Sequence, residues 1–239
     1  MTTFGMFVKN PEPGRVKTRL AAAIGDAAAA ALYRAFLIDL IDRFRSTGSR
    51  RVLAYSPAEA ACREFFTQQS DGNYELWPQP ITGLGARMKQ FFESFGPEPV
   101  VLIGSDSPTL PVGFPNVAFA MLKHADVVLG PATDGGLYLI GLNQQRRTWP
   151  IFEEIDWSTS RVLDQVMQRL IELDARVEVL PPWYDIDEPA DLSFLRGHLS
   201  AIRASKEAAQ YDAPATRAVL ECGGSTPPSI QEPKDIPLS

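Results

Sequence analysis

The sequence predicts one α/β domain in which helices cover a mixed, mostly parallel β-sheet. Short apolar runs alternate along the chain with longer segments of helical periodicity, which is the rhythm of βαβ units. The chain has 239 residues, 45% of them hydrophobic, enough to bury one sizeable core. We expect a domain over residues 1–203, followed at 204–239 by a Pro/Gly/Ser-rich tail with too few large apolar residues to become ordered. The alternative is a tail that docks on a partner through Tyr211 and Val219-Leu220.

The elements follow from these patterns in order. The expected strands are apolar runs at 3–8, 51–55, 74–77, 100–104, 127–131, 137–142 and 177–180. The expected helices repeat apolar residues at helical spacing over 26–45, 58–69, 85–95, 112–123, 158–173 and 188–199. The connection between 127–131 and 137–142 is too short for a crossover helix, which predicts an antiparallel or offset excursion in the sheet.

Composition excludes several classes of function. The net charge of −6 and the pI near 5.0 argue against a broad basic surface, and so against nucleic-acid binding. Cys62 and Cys222 lie far apart, which favours neither a disulfide framework nor a thiolate zinc site. The sequence contains no signal-peptide pattern and no apolar run of about 18 residues. We expect a cytoplasmic protein that does not bind membranes, of an oligomeric state that the sequence does not indicate.

The segment 8–20 places cations beside a loop broken by Pro and Gly, directly after the first expected strand. Backbone N–H groups, a helix N-terminus after Thr18 and basic side chains would converge there on an anion. This arrangement predicts a phosphate-binding loop. Its candidate residues are Lys9, Gly14, Arg15, Lys17 and Arg19, and Lys17 is also a candidate catalytic residue.

The apolar run 100–104 is followed by Asp106, at the carboxyl end of a strand, where open α/β sheets bind ligands. Mg²⁺ typically takes one or two carboxylates together with waters and substrate phosphates, so Asp106 alone suffices as a first protein ligand. We expect Asp106 to bind Mg²⁺ or Mn²⁺ and to be catalytic. The alternative is that Asp106 opens the turn at Ser107-Pro108.

A second acidic cluster surrounds Asp187. Asp187 precedes Glu188-Pro189, where a helix N-cap is expected, and capping is therefore the alternative to metal binding. In an extended segment Asp185 and Asp187 alternate across Ile186, so at most one of them faces a shared ligand. We choose Asp187 as the second metal ligand and interpret Asp191 as a charge in the first helical turn.

The segment 130–138 joins two apolar strands through Asp134-Gly135-Gly136, where paired glycines allow the backbone to approach a bound molecule closely. Asp134 is a candidate catalytic residue, and the acceptor-binding candidates are Asp134, Gly135, Gly136, Tyr138 and Ser158. A hairpin turn at Asp-Gly and helix capping by Ser158 are the alternatives.

The chain also breaks at 82–85, just before a helix, which places N–H groups and a cation where a base or phosphate would lie. Gly85 and Arg87 are therefore candidate nucleotide-binding residues. The alternative for Arg87 is a solvated position on the helix surface.

Five motifs, in order, carry a family resemblance: V-K-N-P-E-P-G-R-V-K-T-R-L, G-L-G-A-R-M, I-G-S-D-S-P-T-L-P, A-T-D-G-G-L-Y-L-I-G-L and D-I-D-E-P-A-D-L. Over about residues 3–199 the chain resembles the bacterial rSAM/selenodomain-associated transferase 1 family, also described as arsenosugar-biosynthesis-type glycosyltransferases. The resemblance implies the Rossmann-like nucleotide-diphospho-sugar transferase (GT-A) fold. It also implies a more distant similarity to nucleotidyltransferases of the molybdenum-cofactor guanylyltransferase and phospholactate guanylyltransferase kind.

By position, the resemblance implies that Lys17 and Arg19 hold phosphates and that Asp106 and Asp187 are the acidic metal ligands. The chain departs from the family fold at one point. Glycosyltransferases of this fold often use Asp-x-Asp, whereas this chain has Ser105-Asp106-Ser107, with one carboxylate where two are usual.

The leading hypothesis is a metal-dependent glycosyltransferase that moves a sugar from a nucleotide-activated donor to a small-molecule acceptor. The alternatives are a nucleotidyltransferase, which releases pyrophosphate from a nucleoside triphosphate and a phosphorylated or carboxylated acceptor, and a non-catalytic nucleotide-binding protein. All three require the cationic loop and Asp106 to lie around one pyrophosphate-sized hollow.

Overall fold

The structure, a computed structural model, describes residues 1–205 and 211–222. These residues form seven strands and eight α-helices. The strands are β1 (Thr3–Lys9), β2 (Arg50–Ser56), β3 (Glu75–Pro78), β4 (Val100–Ile103), β5 (Val127–Pro131), β6 (Leu137–Leu142) and β7 (Val177–Val179). The helices are α1 (Thr18–Ile24), α2 (Asp26–Arg43), α3 (Ala60–Ser70), α4 (Leu84–Ser94), α5 (Phe114–Met121), α6 (Val162–Glu172), α7 (Pro189–Ala204) and α8 (Pro214–Glu221).

The strands form one sheet in the order β3-β2-β1-β4-β6-β5-β7. The chain builds outward from β1 through β2 to β3 and then returns to place β4 on the other side of β1. Strand β1 is parallel to both of its neighbours, β2 and β4. The order therefore reverses between β1 and β4, and a ligand crevice is expected outside the carboxyl ends of these two strands.

Strand β6 runs antiparallel to β4 and β5, which confirms the excursion expected at this point of the sequence. Because β6 is reversed, the turn that joins β5 to β6 lies at the same edge of the sheet as the carboxyl ends of β1 and β4. The segment after β7 returns to this edge as well, since β7 is parallel to β5. One edge thus collects the loops after β1, β4, β5 and β7.

Alternation along the strands divides the core into two layers. Phe4, Met6 and Val8 of β1 point to the layer formed with α1, α2, α3, α5, α7 and α8. The other layer contains α4 and α6 with residues of β2 and β4, including Val52 and Leu102. No helix in the described parts of the chain is long and apolar enough to cross a membrane.

Helix α6 begins later than the sequence predicts. It starts at Val162, and the expected helical residues from Ser158 form a loop instead. Ser158 has a φ of 68°, which an α-helix does not accommodate. The side chain of Arg161 donates to Asp156 Oδ2 at 2.5 Å and closes this loop just before the helix.

The expectation of disorder from residue 204 onward is wrong for 211–222, where α8 packs on α2. The carboxylate of Asp39 in α2 accepts hydrogen bonds from the N–H groups of Ala215 and Thr216, at 2.9 and 2.8 Å, and so caps α8. Val219 is buried against the main core. One carboxylate and one apolar face therefore order a segment whose composition alone predicts disorder; 206–210 and 223–239 lie outside the described residues.

Candidate active site

The side chain of Lys17 joins the loop after β1 to the loops after β4 and β7. Its Nζ donates to Asp187 Oδ1 at 2.8 Å and forms an ion pair with Asp106 Oδ1. The Lys17 side chain is 3% exposed, whereas those of Asp106 and Asp187 are 45% and 41% exposed. The structure thus brings the cationic loop into contact with the aspartate after β4 and with Asp187, the predicted second ligand, while the pyrophosphate-sized hollow between them stays a prediction.

Burial and charge act in opposite directions on Lys17. Burial by itself lowers the pKa of an ammonium group, but the carboxylates of Asp106 and Asp187 outweigh it and raise the pKa of Lys17. Lys17 is therefore charged throughout the physiological pH range. Its backbone is left-handed, with φ 49° and ψ 43°, a conformation that costs a non-glycine residue about 1 kcal/mol.

Tyr33 of α2 lies next to Lys17 and contacts both loops that form the site. Its buried hydroxyl accepts the backbone N–H of Lys9 at 3.1 Å and lies 2.7 Å from Ser105 Oγ, beside Asp106. The rings of Tyr33 and Phe36 each lie 5.8 Å from the Lys17 ammonium. One helix thus fixes the ends of β1 and β4 and provides aromatic faces for the cation. Sequence reasoning missed Tyr33, since a buried tyrosine on a helix carries no signal of its partners.

The side chains of Asp106 and Asp187 pair with Lys17 instead of capping a turn or a helix. Glu188, rather than Asp187, is the N-cap of α7, and Asp191 completes its capping box by accepting the Glu188 N–H at 2.7 Å. The carboxylate of Asp187 is therefore left for Lys17. Asp106 likewise pairs through its carboxylate with Lys17, while its carbonyl accepts the N–H of Ile186 at 3.0 Å.

Asp134 faces the same edge, in the turn between β5 and β6. Its Oδ1 accepts the N–H of Gly136 at 2.7 Å, as the hairpin-turn alternative predicts. Burial, followed by the charges of Asp134 and Asp187, raises the pKa of Asp185 to about 7. Asp185 thus belongs to the electrostatic environment of the site, although sequence reasoning set it aside as the member of its pair that faces away.

Gly135 has a φ of 89° and packs against the backbone of Ser160, so a side chain there would clash with the loop before α6. The Gly135 carbonyl also accepts the N–H of Leu163 at 2.9 Å. Ser158 is exposed two residues before this contact, and its role as an acceptor ligand stays a prediction.

Tyr138 corrects the predicted acceptor set. It is 5% exposed, packs beside Phe114 and donates its hydroxyl to the carbonyl of Pro181 at 2.9 Å. Gly130 lies directly against the Tyr138 ring. Because of its position in β6, the Tyr138 side chain faces the main core and not the loops of the site. The predicted acceptor role of Tyr138 is therefore wrong.

The other predicted phosphate-binding residues of the loop after β1 are accessible to solvent. Lys9 and Gly14 are exposed, and Gly14 has a φ of 77°. Arg15 lies 3.3 Å from Glu12, and Arg19 lies 3.8 Å from Glu188. Both arginine side chains are about two-thirds exposed, and exposed ion pairs contribute little to stability, so both can exchange their partners for a phosphate.

Arg87 lies at the start of α4, beside the ends of β1 and β2. Its NH1 donates to Gln79 Oε1 at 3.0 Å, and Gln79 in turn donates to the carbonyl of Ala54 at 2.6 Å. Burial lowers the pKa of Arg87, and its buried Nε–H has no acceptor among the described residues. The surface interpretation of Arg87 is thus wrong, and Gln79, which sequence reasoning missed, positions it. Gly85 packs against Phe152 and Trp157, which explains the glycine by close packing.

The donor set fits a divalent cation that also binds substrate phosphates. Within residues 1–205 and 211–222, no group of three or more His, Cys, Asp or Glu side chains could hold a metal ion alone. Asp106 and Asp187 nevertheless converge on one cation, the Lys17 ammonium, and keep exposed oxygen surface. Two carboxylates are what Mg²⁺ typically takes from a protein when phosphates and waters complete its shell.

Comparison with known proteins assigns this chain to a family. A family model described as "uncharacterized protein conserved in bacteria (DUF2064)" matches residues 40–159, half of the chain. The chain belongs to the DUF2064 family. A solved structure from Desulfovibrio desulfuricans G20, provisionally designated a nucleotide-diphospho-sugar transferase, is 32% identical, with a TM-score of 0.78 over 90% of this chain and 96% of that one.

A 3-phospho-D-glycerate guanylyltransferase from Phenylobacterium zucineum (strain HLK1) is 32% identical over 134 residues. The match covers 53% of this DUF2064 chain and 60% of that relative. A cytidylyltransferase structure from Leptospira borgpetersenii, only 10% identical, shows the same fold with a TM-score of 0.57 over 97% of this chain and 98% of that one.

The comparisons and the sheet confirm the predicted fold class, a mixed and mostly parallel sheet covered by helices. The relatives are named as transferases, in agreement with the predicted enzyme class. The narrower resemblance to the rSAM/selenodomain-associated transferase 1 family stays a prediction.

Proposed function

We propose that this DUF2064 member is a metal-dependent nucleotidyltransferase that joins the nucleoside monophosphate part of GTP to a small acceptor carrying a phosphate or carboxylate. The observation that carries the proposal is the meeting of Lys17, Asp106 and Asp187 at the reversal point between β1 and β4. The guanylyltransferase name of the Phenylobacterium relative supports the choice of nucleotide and of acceptor chemistry.

In the proposed reaction an acceptor oxygen bonds to the α-phosphorus of GTP, the bond from that phosphorus to the bridging oxygen breaks, and pyrophosphate leaves. A phosphate or carboxylate nucleophile is already ionised at neutral pH, so the site needs no general base. The main task of the protein is to neutralise and position negative charge. Lys17, with the exposed Arg15 and Arg19, supplies positive charge to the triphosphate.

Asp106 and Asp187 would hold Mg²⁺ or Mn²⁺, which when bound neutralises the charge that develops on the leaving pyrophosphate. Their carboxylates come from two separate loops rather than from one Asp-x-Asp motif. In this arrangement Asp187 would take the place of the second carboxylate that an Asp-x-Asp motif provides.

Arg87 is the residue that we assign to the base. Gln79 holds one end of its guanidinium, and the Nε–H is a buried donor that lacks an acceptor among the residues described. Guanine offers adjacent acceptors, O6 and N7, that arginine recognises through paired hydrogen bonds. The unmet hydrogen-bonding capacity of Arg87 therefore favours guanine over adenine, whose N6 amino group is a donor.

The test is pyrophosphate release from GTP, ATP, CTP and UTP with Mg²⁺ or Mn²⁺ and 3-phospho-D-glycerate as first acceptor. We expect GTP to be preferred, and Asp106→Asn to lower kcat/KM at least about 100-fold, the usual effect of removing one preorganised electrostatic group. Asp42→Asn is the control for net charge and should behave as wild type. It removes an exposed carboxylate of α2 that pairs with Arg45, just after this helix.

Sugar transfer is the second candidate function, because the Desulfovibrio relative, matched over 96% of its length, is designated a nucleotide-diphospho-sugar transferase. A sugar donor would release a nucleoside diphosphate instead of pyrophosphate. Release of GDP or UDP from nucleotide sugars, with no pyrophosphate from any triphosphate, would replace nucleotidyl transfer by this second function.

A further inference from the structure

The ammonium group of Lys17 lies between the carboxylates of Asp106 and Asp187, the two residues proposed to hold the metal ion. It contacts the Oδ1 atom of each carboxylate, at 2.8 Å in the case of Asp187. The two carboxylates reach this point from different loops, and Lys17 is the group that joins them. A role for Lys17 at this position rests on the proposed function, since it concerns the metal that this function requires.

The position of Lys17 differs from that of an ordinary phosphate-binding lysine. Its side chain is 3% exposed, and its ammonium lies over the aromatic rings of Tyr33 and Phe36. The residue as a whole is more exposed than its side chain, so it is the backbone of the loop that faces solvent. In this conformation the ammonium neutralises two carboxylates and is not presented to a ligand.

We infer that Lys17 holds the metal position in the nucleotide-free protein and must be drawn away by the triphosphate before a metal ion binds between Asp106 and Asp187. An ammonium and a divalent cation repel each other strongly at the few ångströms that separate two ligands of one site. The triphosphate supplies the negative charge that Lys17 would lose on leaving the carboxylates.

Lys17 has the freedom that such a movement requires. A lysine carries its charge on a flexible four-carbon stem, so rotation of the side chain alone moves the ammonium while the N-cap position of Lys17 before α1 is kept. The consequence is an order of binding: metal enters together with the nucleotide rather than ahead of it. Lys17 thereby prevents occupation of the site by metal alone.

The experiment measures Mn²⁺ binding without nucleotide, by titration, to wild type, Lys17→Met, Lys17→Arg and Arg34→Met. Lys17→Met removes the ammonium, and we expect it to bind Mn²⁺ at least about tenfold more tightly than wild type. Lys17→Arg keeps a cation between the carboxylates, and we expect it to bind Mn²⁺ no more tightly than wild type. Arg34→Met removes an exposed positive charge from α2, beside Phe65, and should match wild type.

Melting temperatures with and without Mn²⁺ provide a second readout, and a larger metal-dependent rise in Lys17→Met supports the inference. If Lys17→Met does not fold, Lys17→Gln, which keeps a hydrogen-bond donor, takes its place. Equal Mn²⁺ affinity of wild type and the neutral variant overturns the inference. Binding of GTP with Mn²⁺ to wild type is measured in parallel: if it persists, only the role of Lys17 is wrong, whereas its absence removes the proposed function as well.

Discussion

The hydroxyl of Tyr33 lies 2.7 Å from that of Ser105, although the two residues are 72 positions apart in the chain. Through this contact, α2 fixes the residue that precedes Asp106, and through the N–H of Lys9 it fixes the end of β1. The phenol group therefore sets the distance between the two loops that form the candidate site.

Tyr33→Phe removes this hydroxyl and keeps the ring. We expect the free energy of unfolding to fall by about 1 kcal/mol, as for other buried hydrogen bonds, and the KM for nucleotide to rise. Tyr74→Phe is the matched control, because Tyr74 is also buried and donates to the Ile41 carbonyl at 2.9 Å, outside the candidate site. It should lose similar stability in chemical denaturation with an unchanged KM. An equal change of KM in both variants would contradict the positioning role.

Asp187→Asn and Asp191→Ala separate ligand binding from helix capping. Asp187→Asn should weaken Mn²⁺-dependent GTP binding by about tenfold or more, because one of two carboxylates loses its charge. Asp191→Ala removes the acceptor of the Asp187 and Glu188 N–H groups, and should cost about 1 kcal/mol of stability with a smaller loss of binding than Asp187→Asn, because the Asp187 carboxylate keeps its charge. Calorimetric titration and thermal melts measure the two effects. The reverse pattern would restore the capping interpretation of Asp187.

Gly135→Ala should disturb the loop before α6. The substitution places a methyl group against the backbone of Ser160 at a φ of 89°. Gly25→Ala is the control for backbone conformation alone, since Gly25 has a φ of 84° and no described atom close to its Cβ position. We expect Gly135→Ala to be the more destabilising of the two in denaturant unfolding and to raise the KM for acceptor. Equal destabilisation would mean that the contact with Ser160 relaxes freely.

The ion pairs of Asp126 should make the free energy of unfolding sensitive to acid. Hydrogen bonds from Arg176 and then Arg146 hold the pKa of this buried carboxyl well below its usual range. Its contribution to stability is therefore complete above the ordinary carboxyl pKa of about 4 and decreases as the pH falls below that value. The unfolding free energy of wild type should decline below about pH 4 more steeply than that of Asp126→Asn. Parallel slopes in urea denaturation would show that Asp126 is not responsible.

The order of the strands, and of the helices as far as α7, could be predicted because apolar runs and helical periodicity are local properties of the sequence. The convergence on one edge was partly predictable as well, since Asp106 follows a strand and parallel strands end together. The direct pairing of Lys17 with Asp106 and Asp187 was not, because both carboxylates come from distant loops. Gln79 and Tyr33 carried no signal, as their importance lies in the atoms they contact.

Asp185 and Tyr138 show the limit of arguments from alternation. Alternation across Ile186 predicts that Asp185 faces away from the site, yet the charges of Asp134 and Asp187 act on it. Tyr138 follows a glycine-rich turn that indicates a ligand, but its side chain fills the core. The side chain of Tyr138 faces the core because of its place in β6, whereas charges act on Asp185 through space without regard to alternation.

Arg43 of α2 joins the loop after β4 to the segment that leads into α8. Its guanidinium donates to the carbonyls of Pro108 and Leu110, at 2.6 and 3.0 Å, and to that of Asp212, just before α8. A chain truncated after residue 205 would strip the same arginine of one anchor and deprive the carboxylate of Asp39 of two donors within the interior. Shortened versions of the chain chosen for crystallisation should therefore keep α8, since its removal would loosen the stretch that comes after Asp106.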